Sequence, residues 1–276
     1  HIYGWVVHFS PKGYKDNKQC TLYRCWMQNL NINDLGNVLV TGGTGFVGSA
    51  LVKRLVEAKV SVRVIDNNSR GSIEKLGSYI NEIEYIEGDV KSVIDVKKAC
   101  KNIDTLFHLA AINGTENFYN IPSEVLEVGV LGAINTIHAA KENGIKNYII
   151  TSSSEVYQSP TKIPTSEDER IIVPNIHNPR YSYSIGKIVN EALAIYNGSN
   201  SLRSVICRPH NFYGPDMGIA HVIPQFILRM KKISDNFKLD NIEFPIQGSG
   251  EETRSFCFID DAIDGLLIAA LGGETK

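Results

Sequence analysis

Long apolar runs, an excess of positive charge and a cysteine framework are all missing from this sequence. No stretch of about 18 or more consecutive apolar residues occurs, which excludes a transmembrane helix from the chain. The 28 Lys and Arg residues are balanced by 30 Asp and Glu residues, so the basic surface that a nucleic-acid-binding protein needs is absent. We therefore expect neither a nucleic acid nor a membrane as a partner.

Cysteine and histidine are too few and too scattered to form a disulfide or metal site. No two of the 5 cysteines have the two-residue gap of a zinc or redox motif, and the 7 histidines form no cluster. Residues 1–9 also lack the basic start and small-residue cleavage site of a signal peptide. We expect free thiols, no metal and a cytoplasmic location. The cysteines are Cys20, Cys25, Cys100, Cys207 and Cys257.

What is present is an alternation of short apolar strands with helical patterns. Apolar strands that lack a polar face are typical of a parallel sheet covered by helices on both sides. The right-handed crossover rule then predicts an α/β fold with a doubly wound, Rossmann-type sheet. The predicted strands are 38–40, 62–65, 83–86, 105–109, 148–150 and 204–207, and the predicted helices are 46–58, 91–101, 122–142 and 183–196.

A glycine-rich turn lies between the first of these strands and the first helix. In the run Thr41-Gly-Gly-Thr-Gly-Phe-Val-Gly48, Gly42 would turn the chain, Gly45 would let a pyrophosphate approach the backbone, and Gly48 would let the helix pack closely on the strand. Such a turn also occurs without a ligand. Asp66 follows at about the 20-residue spacing of a carboxylate that binds the adenosine ribose, which favours NAD, although the nearby Arg70 leaves NADP open.

A tyrosine and a lysine lie one helical turn apart, at Tyr183 and Lys187. Most such pairs are surface residues. As a functional pair, the ammonium of Lys187 would lower the pKa of the Tyr183 phenol from its usual value of about 10 and make it a usable base. Residues 152–154, all serines, follow a predicted strand at the edge where ligands bind in open α/β sheets.

Taken in order, these motifs resemble the extended short-chain dehydrogenases/reductases, and more narrowly the NAD-dependent nucleotide-sugar epimerases and dehydratases. The resemblance covers about 37–270. It rests on the glycine turn, Asp66, Gly88-Asp89-Val90, His108-Leu-Ala-Ala111, Ser152-Ser-Ser-Glu-Val-Tyr157, the Tyr183/Lys187 pair and Arg208-Pro-His-Asn-Phe-Tyr-Gly-Pro215.

The resemblance implies a role for each matching position. Asp89 would meet the adenine amino group, Ser153, Tyr183 and Lys187 would form the catalytic triad, and Lys187 would also hold the nicotinamide ribose. The implied cofactor residues are Gly42, Gly45, Phe46, Val47, Gly48, Asp66, Asn67, Asp89, Val90, Leu109, Ala110, Ala111, Tyr183 and Lys187. The implied substrate residues are Ser154, Asn211 near the diphosphate, Val222 and Pro224 on the nucleotide base, and Arg254 on the phosphates or sugar.

Some of these positions also have simple structural explanations. Asn211 could cap a turn, and Arg254 could form a surface ion pair with Glu251 or Glu252. The chain also departs from the family pattern at three positions. Gly129 stands where the family usually has an Asn of the active-site tetrad, and Gln158 and Lys59 stand where Gly is usual, so we expect Lys59 in a strained conformation.

The implied reaction begins with oxidation of the sugar at C4 by NAD. The resulting ketone leads to a 4-epimer, to loss of water from C6, or to loss of a C6 carboxylate as carbon dioxide. Glu155 is a further predicted catalytic residue because it fits dehydratases and decarboxylases, although it could also be an exposed strand-end residue. Ser154 stands where some dehydratases have an Asp. We expect an epimerase or dehydratase. The alternatives are a UDP-glucuronate decarboxylase, favoured by Ser154-Glu-Val-Tyr157 and Thr253-Arg-Ser-Phe256, and a non-catalytic NAD-binding scaffold.

The same motifs divide the chain. We expect an N-terminal extension at 1–36 (a β-hairpin and a linker), an NAD-binding domain at 37–209 and an incomplete substrate-binding region at 210–276. The chain starts with His1 and stops just after a helical pattern, so we expect it to be a piece of a longer protein. The helices 122–142 and 183–196 align with those that form a homodimer in the family.

Overall fold

The computed structural model describes residues 4–8, 31–236, 244–246 and 248–272. The strands within these ranges form a seven-stranded sheet and a separate strand pair. The seven strands are β1 (Gly4–His8), β2 (Val38–Thr41), β3 (Val62–Asp66), β4 (Glu84–Glu87), β5 (Thr105–His108), β6 (Asn147–Thr151) and β7 (Arg203–Arg208). Their order is β1-β7-β6-β5-β2-β3-β4 and every neighbouring pair is parallel, which confirms the predicted doubly wound sheet.

Helices cover both faces of this sheet. They are α1 (Phe46–Glu57), α2 (Val93–Ala99), α3 (Thr115–Asn120), α4 (Pro122–Glu142), α5 (Ser182–Asn197), α6 (Val222–Asn236) and α7 (Ile259–Leu271). Helix α1 buries Leu51, Val52 and Leu55 at helical spacing, which places its apolar stripe on the sheet. One apolar cluster joins α2, α4 and α5 to one face, and a second joins α1 and α7 to the other.

The strand order reverses between β2 and β5. Strands β3 and β4 lie beyond β2 on one side, whereas β6 and β7 lie beyond β5 on the other. In an open parallel sheet the loops on the two sides of such a point diverge, and a crevice forms at the carboxyl ends of the strands. The glycine turn and the segment after His108 both begin at this crevice.

The segment after the predicted boundary at residue 209 stays in contact with the main sheet. Strands β8 (Asn211–Tyr213) and β9 (Phe256–Phe258) pair in parallel, and α7 then packs under the sheet beside α1. Arg54 of α1 and Asp264 of α7 form an ion pair at 2.8 Å. Helix α7 therefore helps to hold α1 in place. The boundary itself stays a prediction.

The N-terminal extension adds an edge strand. Strand β1 pairs in parallel with β7, from Gly4 opposite Ser204 to His8 opposite Arg208. Residues 20–26, which we expect to form the other strand of a hairpin, lie outside the described residues. In the predicted linker, Ile32–Leu35 forms a short 3-10 helix that buries Leu35 completely.

Two departures from the family pattern coincide with left-handed backbone. Lys59 has φ = 63° and Gln158 has φ = 50°. At a positive φ the Cβ of a non-glycine residue comes too close to the backbone carbonyl oxygen, whereas glycine has no Cβ and is not strained. The expected strain at Lys59 is therefore present. Among the described residues, no helix is both long and apolar enough to cross a lipid bilayer.

Candidate active site

A cavity of about 510 Å³ lies at the carboxyl ends of the strands, where the strand order reverses. Its wall includes Gly42 after β2, Asp66 at the end of β3, Leu109 after β5 and Ser152 after β6. The sheet thus brings together side chains that are far apart in the sequence. This is the place where ligands bind in doubly wound folds.

The glycine turn forms one end of the cavity. Gly42 has φ = 73°, and a Cβ on it would lie 2.9 Å from the backbone nitrogen of Ala110. A Cβ on Gly48 would lie 2.0 Å from the carbonyl oxygen of Gly42. Gly45 is the N-cap of α1 and no side chain accepts from the first N–H groups of this helix. These donors therefore fit a diphosphate, which is the usual ligand of such a helix end.

Two carboxylates line the cavity beyond the glycine turn. The Oδ2 atom of Asp66 accepts from the backbone nitrogen of Thr44 at 2.9 Å, and its Oδ1 atom accepts from that of Asn68 at 2.9 Å. Each oxygen keeps a lone pair for a further donor, such as a ribose hydroxyl. Asp89 is held by Asn67, whose Nδ2 donates to Asp89 Oδ2 at 3.3 Å. The fixed carboxylate of Asp66 fits NAD.

The three residues of the predicted catalytic triad, Ser153, Tyr183 and Lys187, meet at the opposite end of the cavity. Tyr183 is hydrogen-bonded to Ser153. The Nζ atom of Lys187 lies 5.5 Å from the centre of the Tyr183 ring and donates to the carbonyl oxygen of Thr151 at 2.6 Å. Helix α5 supplies Tyr183 and Lys187, β6 ends at Thr151, and Ser153 follows two residues later.

The pKa of Tyr183 differs from the sequence expectation. Loss of solvation and the negative charge of Glu155 raise the phenol pKa above its ordinary value, and the hydrogen bond with Ser153 only partly offsets this. Burial also lowers the pKa of the Lys187 ammonium to about 8. The lysine was expected to lower the phenol pKa, but the desolvation of both groups outweighs this effect.

An arginine that sequence reasoning missed lies in the cavity wall near Tyr183. The Nη2 atom of Arg180 donates to both carboxylate oxygens of Glu155, at 3.2 and 3.3 Å. Its guanidinium lies 5.8 Å from the ring centre of Phe118, which in turn stacks on Tyr183 at 5.2 Å. Glu155 is therefore half of an ion pair in the cavity wall. The position of Arg180 three residues before Tyr183 is the signal that could have drawn attention to it.

Comparisons with known proteins agree with this geometry. A family model described as the NAD dependent epimerase/dehydratase family matches residues 38–275. The chain belongs to the NAD-dependent epimerase/dehydratase family.

Curated relatives in this family include decarboxylases. A UDP-N-acetyl-alpha-D-glucosaminuronate decarboxylase of Bacillus cytotoxicus is 32% identical over 234 residues, which are 84% of this chain and 70% of the relative. UDP-glucuronic acid decarboxylase 3 of Arabidopsis thaliana is 33% identical over 244 residues, or 86% of this chain and 67% of the relative.

Solved structures of the family superpose on most of the chain. The UDP-N-acetylglucosamine 4-epimerase from Methanobrevibacter ruminantium M1, in complex with UDP-N-acetylmuramic acid, has a TM-score of 0.74 and 30% identity, and the match covers 85% of this chain and 73% of that one. MoeE5 in complex with UDP-glucuronic acid and NAD has a TM-score of 0.68 and 28% identity, covering 85% and 72%.

Most of the residues that the family resemblance implied line the cavity. Pro224 and Arg254 do not, and the Nη1 atom of Arg254 donates to the carbonyl oxygen of Thr253 at 2.7 Å. Their roles, like those of the others, stay predictions. The predicted residues in the cavity wall are Gly42, Gly45, Phe46, Val47, Gly48, Asp66, Asn67, Asp89, Val90, Leu109, Ala110, Ala111, Ser153, Ser154, Glu155, Tyr183, Lys187, Asn211 and Val222.

Gly129, where the epimerase/dehydratase family usually has Asn, lies at the crossing of α4 and α5. A Cβ on Gly129 would lie 3.6 Å from the Cα atom of Gly186. In the amide orientation that its neighbours require, Nδ2 of Asn190 donates to the carbonyl oxygens of Gly129 and Gly186, each at 2.9 Å. An Asn amide is therefore present near this crossing, but it belongs to α5 and bridges the two helices.

Proposed function

We propose that the chain oxidises C4 of a nucleotide-diphosphate sugar with NAD as cofactor, and that the transient ketone leads to a 4-epimer or a 4,6-dehydrated sugar. One observation carries this proposal. Ser153, Tyr183 and Lys187 lie in the same cavity as the glycine turn and Asp66. A base and a dinucleotide site in one cavity are what such an oxidation requires.

The residues at the cofactor end fit NAD. When bound, NAD⁺ supplies the acceptor for the hydride that leaves C4. The free N–H groups at the start of α1 would hold its diphosphate, and Asp66 would accept from the ribose hydroxyls. Asp89 would accept from the adenine amino group. Lys187 would donate to the hydroxyls of the nicotinamide ribose.

The residues at the other end move one proton. Tyr183 as phenolate takes the proton of the sugar 4-hydroxyl and later returns it, while Ser153 holds the sugar oxygen. Burial raises the pKa of this phenol, and the Lys187 ammonium, 5.5 Å from the Tyr183 ring, would oppose that rise by stabilising the phenolate. A ketone at C4 acidifies the hydrogen at C5. A base can then remove this proton while the C6 hydroxyl leaves as water.

Product analysis tests the proposal. The complete protein is incubated with UDP-, GDP- and dTDP-sugars and NAD in deuterated water, and the products are identified by NMR. Deuterium at C5 with loss of the C6 hydroxyl supports dehydration, and retention of every carbon-bound hydrogen in a 4-epimer supports epimerisation. Bound NAD without turnover of any sugar contradicts the proposal and supports a scaffold.

Decarboxylation of a UDP-uronic acid is the second candidate, and Arg180 favours it. This guanidinium lies in the cavity wall close to Tyr183 and is paired with Glu155. A guanidinium binds a carboxylate through two parallel hydrogen bonds, so it suits a sugar with a C6 carboxylate. After oxidation at C4 such a sugar is a β-keto acid, which loses carbon dioxide. The curated relatives named above support this branch.

Replacing Arg180 with Met tests that branch. If Arg180 binds a C6 carboxylate, the KM for UDP-glucuronic acid should rise about 10- to 100-fold, since hydrogen bonds to charged groups contribute roughly 1.5–3 kcal/mol. The KM for UDP-glucose should hardly change. Arg180→Lys is the control that keeps the charge but loses the planar fork. Equal effects on the acidic and the neutral sugar would argue against decarboxylation.

We also propose that the chain forms a homodimer through α4 and α5. The outer faces of these helices carry apolar side chains that the described residues leave half-buried or exposed, and Leu131 is 43% exposed. Apolar patches of this kind mark protein interfaces. The side chains are Leu126, Val130, Leu131 and Ile134 of α4 and Ile185, Ile188, Val189 and Ala192 of α5.

A charge placed in this patch should break the dimer. Leu131→Glu is expected to give monomers in sedimentation equilibrium at micromolar protein, because an unpaired carboxylate is costly to bury in an apolar interface. Ile94→Glu, at a residue that is 79% exposed on α2, adds the same charge outside the patch and should leave the dimer intact. A wild-type chain that sediments as a monomer would refute the homodimer.

The described thiols support the proposed cytoplasmic location. Cys100, Cys207 and Cys257 are all free and buried. Burial raises the pKa of the Cys257 thiol to about 11 and that of the Cys100 thiol to about 12. Such thiols stay reduced and unreactive in a reducing compartment.

A further inference from the structure

Helix α5 and the end of β6 are tied together at successive helical turns. Tyr183, Lys187 and Glu191 recur every fourth residue, so they form one row on α5. Lys187 donates from Nζ to the carbonyl oxygen of Thr151 at 2.6 Å, and the next residue, Ser152, donates from Oγ to Glu191 Oε1 at 2.5 Å. Glu191 thus lies one helical turn beyond Lys187, on the side away from the tyrosine, and its carboxylate is bound by the residue that follows Thr151.

Glu191 is held from a second direction by a buried arginine. Arg208 at the end of β7 donates from Nε to Glu191 Oε1 at 2.8 Å and from Nη2 to Oε2 at 2.7 Å. Glu191 is only 3% exposed and Arg208 only 5%. Burying two charges costs several kcal/mol per ion before their attraction offsets it, so such a pair is weak evidence for a purely stabilising role. The position of Glu191, one helical turn from Lys187, indicates that this ion pair has another role.

Lys187 is a cation with little solvent to support it. It is 4% exposed, and the partner of its Nζ atom is a carbonyl oxygen without a formal charge. Burial favours the neutral amine and lowers the pKa of Lys187 to about 8, while the negative charge of Glu191 acts in the opposite direction. His108 is neutral here, because burial lowers its pKa to about 3. The titratable groups near Lys187 are Tyr183, Glu191 and His108; Glu155 acts on Tyr183, and Arg208 lies behind Glu191.

We propose that Glu191 is a positioning residue whose buried negative charge holds the Lys187 ammonium charged beside Tyr183, and that Arg208 and Ser152 fix Glu191 in that place. The proposal deepens the proposed function, because a charged Lys187 is what stabilises the phenolate. Glu191 does not touch the cavity wall and acts only through the lysine. The ion pair then serves the reaction through its geometry, since it keeps a carboxylate where solvent cannot screen it.

A direct titration of Lys187 tests this without any sugar. The protein is labelled with lysine carrying ¹³C at Cε, the Lys187 resonance is assigned by its loss in Lys187→Met, and its shift is followed with pH. In Glu191→Gln the titration midpoint should fall by about one pH unit or more, a tenfold or larger loss of proton affinity. The control is Glu142→Gln, which removes the surface ion pair with Lys97 and should leave the midpoint in place.

A second variant guards against loss of folding. Glu191→Gln leaves Arg208 buried without its carboxylate, which is strongly destabilising. Glu191→Gln with Arg208→Met removes both charges, and here the midpoint should fall in the same direction but by less, because the guanidinium no longer repels the ammonium. An unchanged midpoint in the folded double variant, as judged by circular dichroism, would overturn the proposal.

The pH dependence of activity gives a second measurement in the holoenzyme. With the sugar that the product analysis identifies, the loss of kcat/KM on the alkaline side should begin at a lower pH in the double variant than in the wild type, by the same amount as the Lys187 midpoint falls in that variant. A purely structural role would reduce kcat/KM at every pH and leave the profile's shape unchanged. If no sugar is turned over, the proposed function fails, whereas the titration of Lys187 still decides this inference.

Discussion

Tyr183→Phe should reduce turnover by about 10²- to 10⁴-fold while NAD binding stays within a few-fold of the wild type. The variant removes only the hydroxyl that takes the proton of the sugar, and a positioned acid–base group contributes about this much to a rate. The ring that stacks on Phe118 at 5.2 Å is kept. The measurements are kcat on the identified sugar and the Kd for NAD by calorimetry.

The chain offers a matched control for this variant. Tyr181→Phe makes the same chemical change two residues earlier, at a residue that lies outside the cavity wall. It should keep near-normal kcat. Near-normal kcat in Tyr183→Phe would show that another group removes the proton, and Tyr183 would lose its role as the base.

Gly48→Ala is expected to destroy NAD binding. The new Cβ would lie 2.0 Å from the carbonyl oxygen of Gly42 and 2.7 Å from the Cα atom of Gly43. Both atoms belong to the backbone, so the turn that would hold the diphosphate must move. Overpacking of this kind typically costs about 1–3 kcal/mol of stability and sometimes more. Calorimetry should show at least a hundredfold weaker binding, together with a lower midpoint of thermal unfolding.

Gly129→Ala is the control for steric effects of the same substitution. Its Cβ would meet the Cα atom of Gly186 at 3.6 Å, which is an ordinary van der Waals contact. In the interior of α4, alanine is also favoured over glycine by up to about 1 kcal/mol. NAD binding should therefore persist. If both variants lost NAD binding equally, a clash at the glycine turn would not be its cause.

The central elements of the fold were predictable because their signals are local. The continuous apolar run of Val38–Val40 is typical of a strand buried on both faces, and the structure buries every residue of β2. The helical spacing of Leu51, Val52 and Leu55 indicated the buried stripe of α1. By contrast, the pairing of β1 with β7 joins segments about 200 residues apart, and no local pattern specifies such a contact.

The arrangement of site residues was predictable from the sequence where both residues of a pair lie on the same helix. Tyr183 and Lys187 share a helix, so their spacing alone placed them together. The pKa of Tyr183 could not be foreseen, because desolvation depends on how the whole cavity closes. Arg180 was missed for the same reason. Its partner Glu155 lies 25 residues earlier in the sequence, and the ion pair forms only through the fold.

The crossing of α4 and α5 has a mechanical consequence. Gly129 and Gly186 have no side chains, and the amide of Asn190 joins their carbonyl oxygens. The two helix backbones are therefore packed closely at this point, with no side chain between them that could change its conformation. A small tilt of α4 is therefore expected to move α5 with it. Since α5 also carries Tyr183 and Lys187, we expect a tilt of α4 to shift these two side chains in the cavity wall.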